Sequence, residues 1–402
     1  MSRPLLPTIF TIGRVLALIG TVLAAYSAAP LEAFGSAFGL FVRTAVPTVV
    51  TVGLVMIIEA QMRLLGVLDL IQRFAEKVGV RLSLFAVPTL LGLIPATAGA
   101  KLSAGIVAAL GERLNASGGR LAAINFWFRH VNIFCNPLIP GVILAAGIAD
   151  MPPGTIVRWG VPLAVICSCV GALFFLTGLR GRTDAGQLQP VSAKSSADST
   201  SPRQGNAAEK RRGDIPFVLI LTLSVAAALL TTLPLPLLLS IPVALGLFYL
   251  RGRIKLLWGA IQWRLIVEIV CILWFAATIR STGHLDLIAA FLEENFTSPL
   301  AALMTASFFV SFVTGACLPS ASIVMPVAVG AFPGDDLVFF LTLAAGFAAQ
   351  FFTPTHLCLV VSAEAFKTTA ARLAAGMFIP LALSVLVCWG LFSIVPLPTL
   401  HP

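Results

Sequence analysis

Long apolar runs recur along the whole chain, and short polar segments separate them. A helix of about 20 residues crosses a hydrocarbon layer of ~30 Å, and most of the runs reach or approach that length. The candidate spans cover residues 6–28, 44–62, 122–149, 155–179, 215–232, 234–250, 265–279, 337–361 and 373–395. The pattern therefore predicts an all-α, polytopic membrane protein. The first apolar run is expected to stay in the protein as a helix and not to be cleaved as a signal peptide.

Two further apolar runs, residues 82–110 and 299–330, are interrupted by small and polar residues. Each arm of these runs is short for a helix that crosses the bilayer. Irregular backbone at membrane depth is tolerated only where protein buries it or a water-filled cavity borders it. We therefore predict that each run forms a re-entrant hairpin.

The composition excludes several other classes. Of the 402 residues, 58% are hydrophobic and 11% are charged, whereas roughly 25% are charged in an average soluble domain. A soluble enzyme and a disordered protein are therefore excluded. The net charge of +9 is typical of Lys and Arg held in cytoplasmic loops, so no nucleic-acid partner is expected. The seven cysteines lie in or beside apolar runs, and we interpret them as small buried side chains.

One polar segment, residues 181–213, has no apolar periodicity and is predicted to be a flexible linker. Residues 180–214 contain seven Lys and Arg but only four Asp and Glu. Cytoplasmic loops carry the excess of Lys and Arg, so the linker is expected in the cytoplasm. The same rule places residues 63–81 and 251–264 inside and the loops at Glu293 and Asp335 outside, with a cytoplasmic N-terminus.

The most informative pattern is a repeat at a constant offset of 217 residues. The segments 63–71 and 280–288 share Arg, Gly and Asp at matching positions, and Pro137 matches Pro354. Five predicted crossings separate the two copies, so the copies would face opposite ways across the membrane. Inverted repeats are the architecture of secondary transporters, whose binding site lies at the repeat interface.

These features predict five segments. They are an N-terminal helix and lead-in (1–42), a first repeat (43–180), the linker (181–213), two additional helices (214–260), and a second inverted repeat (261–402).

Candidate binding residues lie at the two hairpin tips and at two helices that Pro137 and Pro354 are expected to break. Half-helix N-termini at such breaks attract anions, and hydroxyl groups add neutral hydrogen bonds. The candidates for solute binding are Thr97, Gly99, Ser103, Asn136, Thr314, Gly315, Ser320, Thr353 and Thr355. The candidate Na⁺ ligands are Thr97, Asn136, Thr314 and Thr353, and no other metal and no cofactor is expected.

Five ionisable residues near or inside the spans are candidates for coupling or charge pairing. Glu59 either couples an ion or reaches water, and Lys101 is expected to neutralise an anion, although the second copy has Leu318 at the matching position. Arg129 either binds a carboxylate, pairs with Glu59, or anchors at the interface beside Trp127. His130 and His356 either carry protons or are buried structural histidines.

Taken together, the residues predict a secondary transporter, coupled to H⁺ or Na⁺, for a small solute that we expect to be an organic anion. It would work by alternating access. One alternative is a membrane-embedded enzyme or assembly factor that uses His130, His356 and Glu59, and another is a channel. H-E-x-x-H, G-x-S-x-G and P-loop patterns are absent from the sequence, which argues against catalysis.

Four segments, residues 91–95, 124–130, 140–144 and 353–360, resemble an uncharacterised prokaryotic integral-membrane family, the domain-of-unknown-function 401 family. That family is grouped with the ion transporter superfamily of gluconate, citrate and C4-dicarboxylate permeases. The resemblance implies two inverted repeats, each with a re-entrant hairpin and a broken helix. It also implies transport driven by H⁺ or Na⁺, a location in the inner membrane, and a homodimer.

Overall fold

The computed structural model describes residues 6–27, 29–93, 98–114, 116–179, 207–231, 233–251 and 253–394. Within these ranges the chain forms eighteen α-helices and one short 3-10 helix, η1, and it has no β-strand. The predicted all-α class is therefore confirmed.

The first half of the chain forms nine elements in order. They are α1 (Leu6–Ala25), α2 (Pro30–Leu65), α3 (Val67–Lys77), α4 (Val80–Gly92), α5 (Ala98–Gly111), α6 (Gly118–His130), η1 (Val131–Phe134), α7 (Pro140–Ala149) and α8 (Pro153–Phe175).

The second half forms ten helices. They are α9 (Ala207–Leu230), α10 (Leu235–Tyr249), α11 (Ile254–Trp258), α12 (Trp263–Ser281), α13 (His284–Asn295), α14 (Pro299–Thr314), α15 (Cys317–Ala331), α16 (Asp336–Ala349), α17 (Leu357–Ala365) and α18 (Ala370–Ile394).

The repeat seen in the sequence is present in the backbone. When 217 is added to the starts of α3 to α8, each agrees with the start of α13 to α18 within two residues. Gly66 and Gly283, which match at this offset, both have a left-handed backbone, with φ of 78° and 72°. Gly66 ends α2 and Gly283 directly precedes α13, and a side chain would be strained at both positions.

The same offset relates two non-glycine residues that have a left-handed backbone. Asp150 and Lys367 have φ of 57° and 54°, and they are the only non-glycine residues with positive φ in the described ranges. Each ends a half-helix in a Schellman motif, in which the N–H of the next residue bonds to the carbonyl five residues back. Two equivalent strained positions are strong evidence that the halves share one fold.

Both predicted hairpins and both predicted helix breaks are confirmed. Helices α4 and α5 form the arms of the first hairpin, and α14 and α15 form the arms of the second. Pro137 and Pro354 lie in non-helical segments, one between η1 and α7 and the other between α16 and α17. Proline lacks an N–H and clashes with the preceding turn, which explains why both apolar runs are interrupted there.

Two predicted boundaries need correction. Helix α2 begins at Pro30, so the predicted lead-in at residues 30–42 is helical and continues without a break into the span predicted at 44–62. Proline at the first position and Glu32 in the first turn favour a helix start there. Helix α9 begins at Ala207, so residues 207–213 are helical and do not belong to the predicted linker. Their Ala, Glu, Lys and Arg favour helix formation, and the rest of the linker lies outside the described residues.

Three described helices are long and apolar enough to cross a membrane: α2, α8 and residues 370–391 of α18. Helices α12 and α13 satisfy the same test together but bend by 77° at their break, which gives up to four. The other apolar helical segments have 10–17 residues, including residues 12–25 of α1 and 214–228 of α9. Breaks at glycine and proline shorten these helices. Their lengths therefore do not establish how many of them cross the membrane, and the nine crossings stay a prediction.

The chain forms two compact units. Unit 1 comprises the described residues within Met1–Val67, Asn136–Arg158 and Asn206–Gln350, and unit 2 those within Leu68–Cys135, Trp159–Gly205 and Phe351–Pro402. Each unit contains helices from both halves. In unit 1, the half-helix α7 of the first repeat packs on α15 of the second. In unit 2, the half-helix α17 of the second repeat packs on α5 of the first, so both packing pairs follow the repeat.

Candidate functional site

In unit 1, two half-helices begin beside each other. Gly141 is the second residue of α7, and Cys317 is the first residue of α15. A Cβ atom placed on Gly141 would lie 2.5 Å from Sγ of Cys317, so only glycine allows this approach. The positive ends of two helix dipoles therefore meet at one place.

These two N-termini have no side-chain cap among the described residues. The residues before them, Ile139 and Ala316, have no side-chain oxygen that could accept the first N–H groups. In contrast, α6, α14 and α16 begin with Ser117, Ser298 and Asp335, whose side chains accept a backbone N–H. Neither preceding residue therefore caps the remaining N–H groups of the first turns, such as those of Gly141 and Leu318, whereas the N–H of Val142 bonds to the carbonyl of Ile139.

A buried amide lies at the same place. The side chain of Gln350, which follows α16, contacts the Cys317 thiol. Gln350 is 3% exposed, and its Nε2 has no hydrogen-bond partner in the described part of the chain. A buried N–H donor without an acceptor costs about 1–3 kcal/mol, so this amide is suited to bind an acceptor from outside the protein.

Three serines, which we call the serine cluster (Ser307, Ser311 and Ser320), lie where α14, α15 and α16 meet. All three are fully or almost fully buried. Ser307 and Ser320 share a hydrogen bond of 2.6 Å, whereas Ser311 Oγ has no partner among the described residues. A Cβ on Gly346 would lie within 3.0 Å of each serine hydroxyl oxygen, so the absence of a side chain there allows the cluster to form.

Other predicted residues of unit 1 shape the breaks themselves. Gly315 has φ of 73° and ends α14, which turns the chain into the second hairpin arm. Thr314 donates its hydroxyl hydrogen to the carbonyl of Val310 at 2.7 Å. Asn136 is buried, and its Oδ1 accepts the N–H of Leu138 at 2.9 Å, which stabilises the turn before α7.

In unit 2, two histidines and a cysteine come together, which we call the His–Cys cluster (His130, His356 and Cys358). Nε2 of His130 lies 2.9 Å from Nε2 of His356. Ligand atoms of the three residues lie within 4.8 Å of one another. The cluster joins the end of α6 to the start of α17, so the histidine predictions converge on one place.

An aromatic shell fixes this cluster. The ring of His130 lies 4.2 Å from the ring of Phe126 and 6.0 Å from that of Phe351, measured between centroids. Trp127 is fully buried and donates its Nε1–H to the carbonyl of Cys167 at 2.9 Å. Because Trp127 is buried in the protein, an interfacial anchor formed by Trp127 and Arg129 is ruled out.

The charged candidates have local partners. Arg129 is 7% exposed and lies against Cys358, and Glu59 pairs with Arg63 at 3.0 Å. Glu59 thus has a partner on its own helix, and Arg129 has one within unit 2. Arg63 is four residues after Glu59 on the same helix, where such pairs form readily.

The predicted residues divide between the two units. Asn136, Thr314, Gly315, Ser320 and Glu59 belong to unit 1, and Gly99, Lys101, Ser103, Arg129, His130, Thr353, Thr355 and His356 belong to unit 2. Thr97 lies outside the described residues. Gly99 and Lys101 lie in the first turn of α5. Ser103 is buried, and the hydroxyls of Thr353 and Thr355 share a hydrogen bond of 2.7 Å.

Several polar residues of these two units were not predicted as candidates from the sequence. They are Asn125, Ser307, Ser311, Gln350, Cys358 and Ser362. Asn125 donates to Ser362 at 2.9 Å although the two are 237 residues apart. A polar residue inside an apolar run was the available signal, and it applies to all of them.

The family assignment follows from this architecture and from the sequence. The family described as "Protein of unknown function (DUF401)" matches residues 9–188 and 213–395. The chain belongs to this family. The match leaves out residues 189–212, most of the segment predicted to be a linker. No curated protein matches the chain.

A solved structure has a similar fold. MtrF of Neisseria gonorrhoeae matches with a TM-score of 0.62 and 17% identity, over 100% of this chain and 96% of that chain. MtrF is described as illuminating a class of antimetabolite efflux pumps. The match therefore extends over the whole fold of this member of the DUF401 family.

Proposed function

We propose that this protein is a secondary transporter, coupled to H⁺ or Na⁺, for a small organic anion, and that it works by alternating access. The observation that carries the proposal is the meeting of α7 and α15 at Gly141 and Cys317, beside the unpartnered amide of Gln350. The likeness to MtrF, which is described with a class of efflux pumps, supports transport over catalysis.

The charge of the solute is argued from the donors. Two helix N-termini and an amide N–H supply hydrogen-bond donors and partial positive charge. Each N-terminus stabilises an anion by about 0.3–1 kcal/mol, and by up to about 2 kcal/mol where it is partly buried. The buried serines of the serine cluster add groups that donate or accept. Unit 1 therefore suits a carboxylate or a similar small anion.

The coupling ion has two sets of candidate groups. Carbonyl and hydroxyl oxygens near Asn136 and Thr314 in unit 1, and near Thr353 in unit 2, suit Na⁺. The paired imidazoles of His130 and His356 in unit 2 suit a proton. We extend the proposal to membership of the ion transporter superfamily, to a homodimer, and to the inner membrane of a prokaryote.

Transport into proteoliposomes tests the proposal. The purified full-length protein is reconstituted, and uptake of radiolabelled mono-, di- and tricarboxylates is measured with an imposed H⁺ gradient, with a Na⁺ gradient, and with neither. Saturable accumulation that requires one gradient is expected. Uptake of none of these anions under any gradient would contradict coupled anion transport, and conductance without saturation would indicate a channel.

A further inference from the structure

The His–Cys cluster of unit 2 gathers three metal-ligand atoms from two segments that are far apart in sequence. His130 ends α6, whereas His356 precedes α17 and Cys358 is its second residue. Their ligand atoms lie within 4.8 Å of one another. We propose that this cluster binds a thiophilic d¹⁰ transition-metal ion, Zn²⁺ or Cu⁺.

The donor set selects this class of ion. Two imidazole nitrogens and one thiolate are the ligands of Zn²⁺ and Cu⁺, whereas Na⁺, Mg²⁺ and Ca²⁺ prefer oxygen. Three protein ligands leave one coordination position open. The cluster is therefore distinct from the Na⁺ ligands considered above.

The hydrogen bonds of His130 prepare it to bind a metal. Its Nδ1 lies 2.8 Å from the carbonyl oxygen of Phe126. A carbonyl only accepts, so Nδ1 carries the proton and Nε2 of the neutral ring presents its lone pair. Metal-binding histidines almost always donate their second N–H to such an acceptor, which fixes the ring and its tautomer.

The distance between the two histidine nitrogens requires a small adjustment. At present Nε2–H of His356 donates to Nε2 of His130 across 2.9 Å. Two nitrogens on a tetrahedral Zn²⁺ lie about 3.3 Å apart, given bonds of about 2.05 Å. Metal binding therefore moves the proton of His356 from Nε2 to Nδ1 and separates the rings by about 0.4 Å. The thiol of Cys358 forms the metal–sulfur bond and releases one proton to solvent.

The fold restrains the two histidines unequally, although the ring of His356 also contacts that of Phe126 at 6.1 Å between centroids. His130 is held within the aromatic shell of Phe126 and Phe351. His356 lies in the non-helical segment before α17, with φ of −74° and ψ of 113°. The ring of His356 is therefore the one that shifts when a metal enters.

Arg129 affects the choice of metal. Its guanidinium lies against Cys358 in a buried site. The formal charges of Arg129, the Cys358 thiolate and the bound metal sum to +1 for Cu⁺ and to +2 for Zn²⁺. Burying a smaller net charge costs less free energy. Cu⁺ is therefore expected to bind more tightly than Zn²⁺.

Metal titration of the untagged, full-length protein in detergent tests the proposal. Co²⁺ replaces Zn²⁺ as a coloured probe whose charge-transfer band reports a thiolate ligand, and Cu⁺ is titrated against a competing chelator. We expect one ion per chain for at least one of these metals. Cys358→Ser should weaken binding by at least about 100-fold, since even a lost outer-shell partner costs 10–100-fold.

A matched control separates ligation from structural damage. Cys167 is a buried cysteine of the same unit, and Cys167→Ser should bind the metal as the wild type does. Bound metal should also raise the Tm of the wild type and of Cys167→Ser but leave that of Cys358→Ser unchanged. Binding of neither metal at one ion per chain, or equal binding by Cys358→Ser, would overturn the proposal. Neither result depends on the proposed transport activity.

Discussion

At the residue scale, buried polar atoms are more informative than exposed ones in this apolar chain. Gln61 and Gln350 are both buried glutamines of unit 1. Nε2 of Gln61 donates to the carbonyl of Val243 at 2.9 Å, whereas Nε2 of Gln350 has no partner among the described residues. A donor that pairs within the fold stabilises it, and one that does not is available for a ligand.

This difference predicts opposite effects of the same substitution. Gln350→Leu should lower the affinity for the anionic solute by about 10- to 100-fold, since a hydrogen bond to a charged group contributes about 1.5–3 kcal/mol. It should leave the free energy of unfolding unchanged or raise it by about 1 kcal/mol, because an unpartnered donor is removed. Solute affinity from saturation of uptake and Tm in detergent measure both effects.

Gln61→Leu is the control for Gln350→Leu. It removes the hydrogen bond to Val243 together with a buried Oε1 that has no partner among the described residues, so stability should change by less than about 1 kcal/mol while the affinity stays intact. If Gln350→Leu binds the solute as tightly as the wild type does, the Gln350 amide is not part of the binding site.

Single residues also set the limit of prediction from sequence. Polar positions inside apolar runs singled out Asn136, Ser320 and His356, which the structure places in buried or clustered positions, while their roles in binding or coupling stay predictions. Cys358 was interpreted as a small buried side chain, because a thiol next to an apolar run is usually only that. Its neighbours His130 and His356 are 226 residues apart, so no local spacing could have revealed the cluster.

At the scale of the elements, boundaries were predictable wherever glycine or proline decides them. The predicted hairpins at 82–110 and 299–330 agree with the arms α4–α5 and α14–α15 within two residues at their outer ends. The start of α9 was missed because a charged segment can be a linker or a helix. Its strong helix formers continue directly into an apolar span, and that continuity decides the helix.

The repeat makes an element-scale prediction at the end of α17. Lys367 holds a left-handed backbone with φ of 54° in a Schellman motif and is exposed. Because glycine has no Cβ penalty there, Lys367→Gly should raise the free energy of unfolding by about 0.5–1 kcal/mol. The increase in Tm in detergent measures it.

Asp150 provides the matched control. It has the equivalent backbone in α7, with φ of 57°, but Asp tolerates this conformation better than Lys does. Asp150 also pairs with Arg43. Asp150→Gly should therefore give a smaller increase or a loss, and a larger gain than that of Lys367→Gly would refute the argument from backbone strain.

At the scale of the whole molecule, the sequence predicted two related halves but not how they exchange helices. The offset of 217 is visible in matched Arg, Gly, Asp and Pro residues, since apolar background alone cannot produce them. The packing of α7 on α15 in unit 1 and of α17 on α5 in unit 2 was not visible. Tertiary packing in an all-round apolar chain leaves no periodic pattern, because lipid and protein interiors favour the same residues.

Inverted repeats make a prediction about the two sides of the membrane. Lys77 and Glu294 occupy equivalent positions, since their numbers differ by 217, and both are exposed. Lys77 follows a basic segment and Glu294 an acidic one, so positive charge should keep the first on the cytoplasmic side. In intact cells, a membrane-impermeant maleimide should label Glu294→Cys, whereas Lys77→Cys should be labelled only after the membrane is opened.

The native Cys169 is exposed and is a background site for reaction with the maleimide. Labelling of the wild-type chain measures that background. Inverted vesicles should reverse the order of labelling for the two variants. If both cysteines react from the same side in both preparations, the two halves share one orientation and alternating access cannot rest on their inversion. If they react from opposite sides, the helix pairs α7–α15 and α17–α5 are related by that inversion, because each pair joins one half-helix to the hairpin arm of the other repeat.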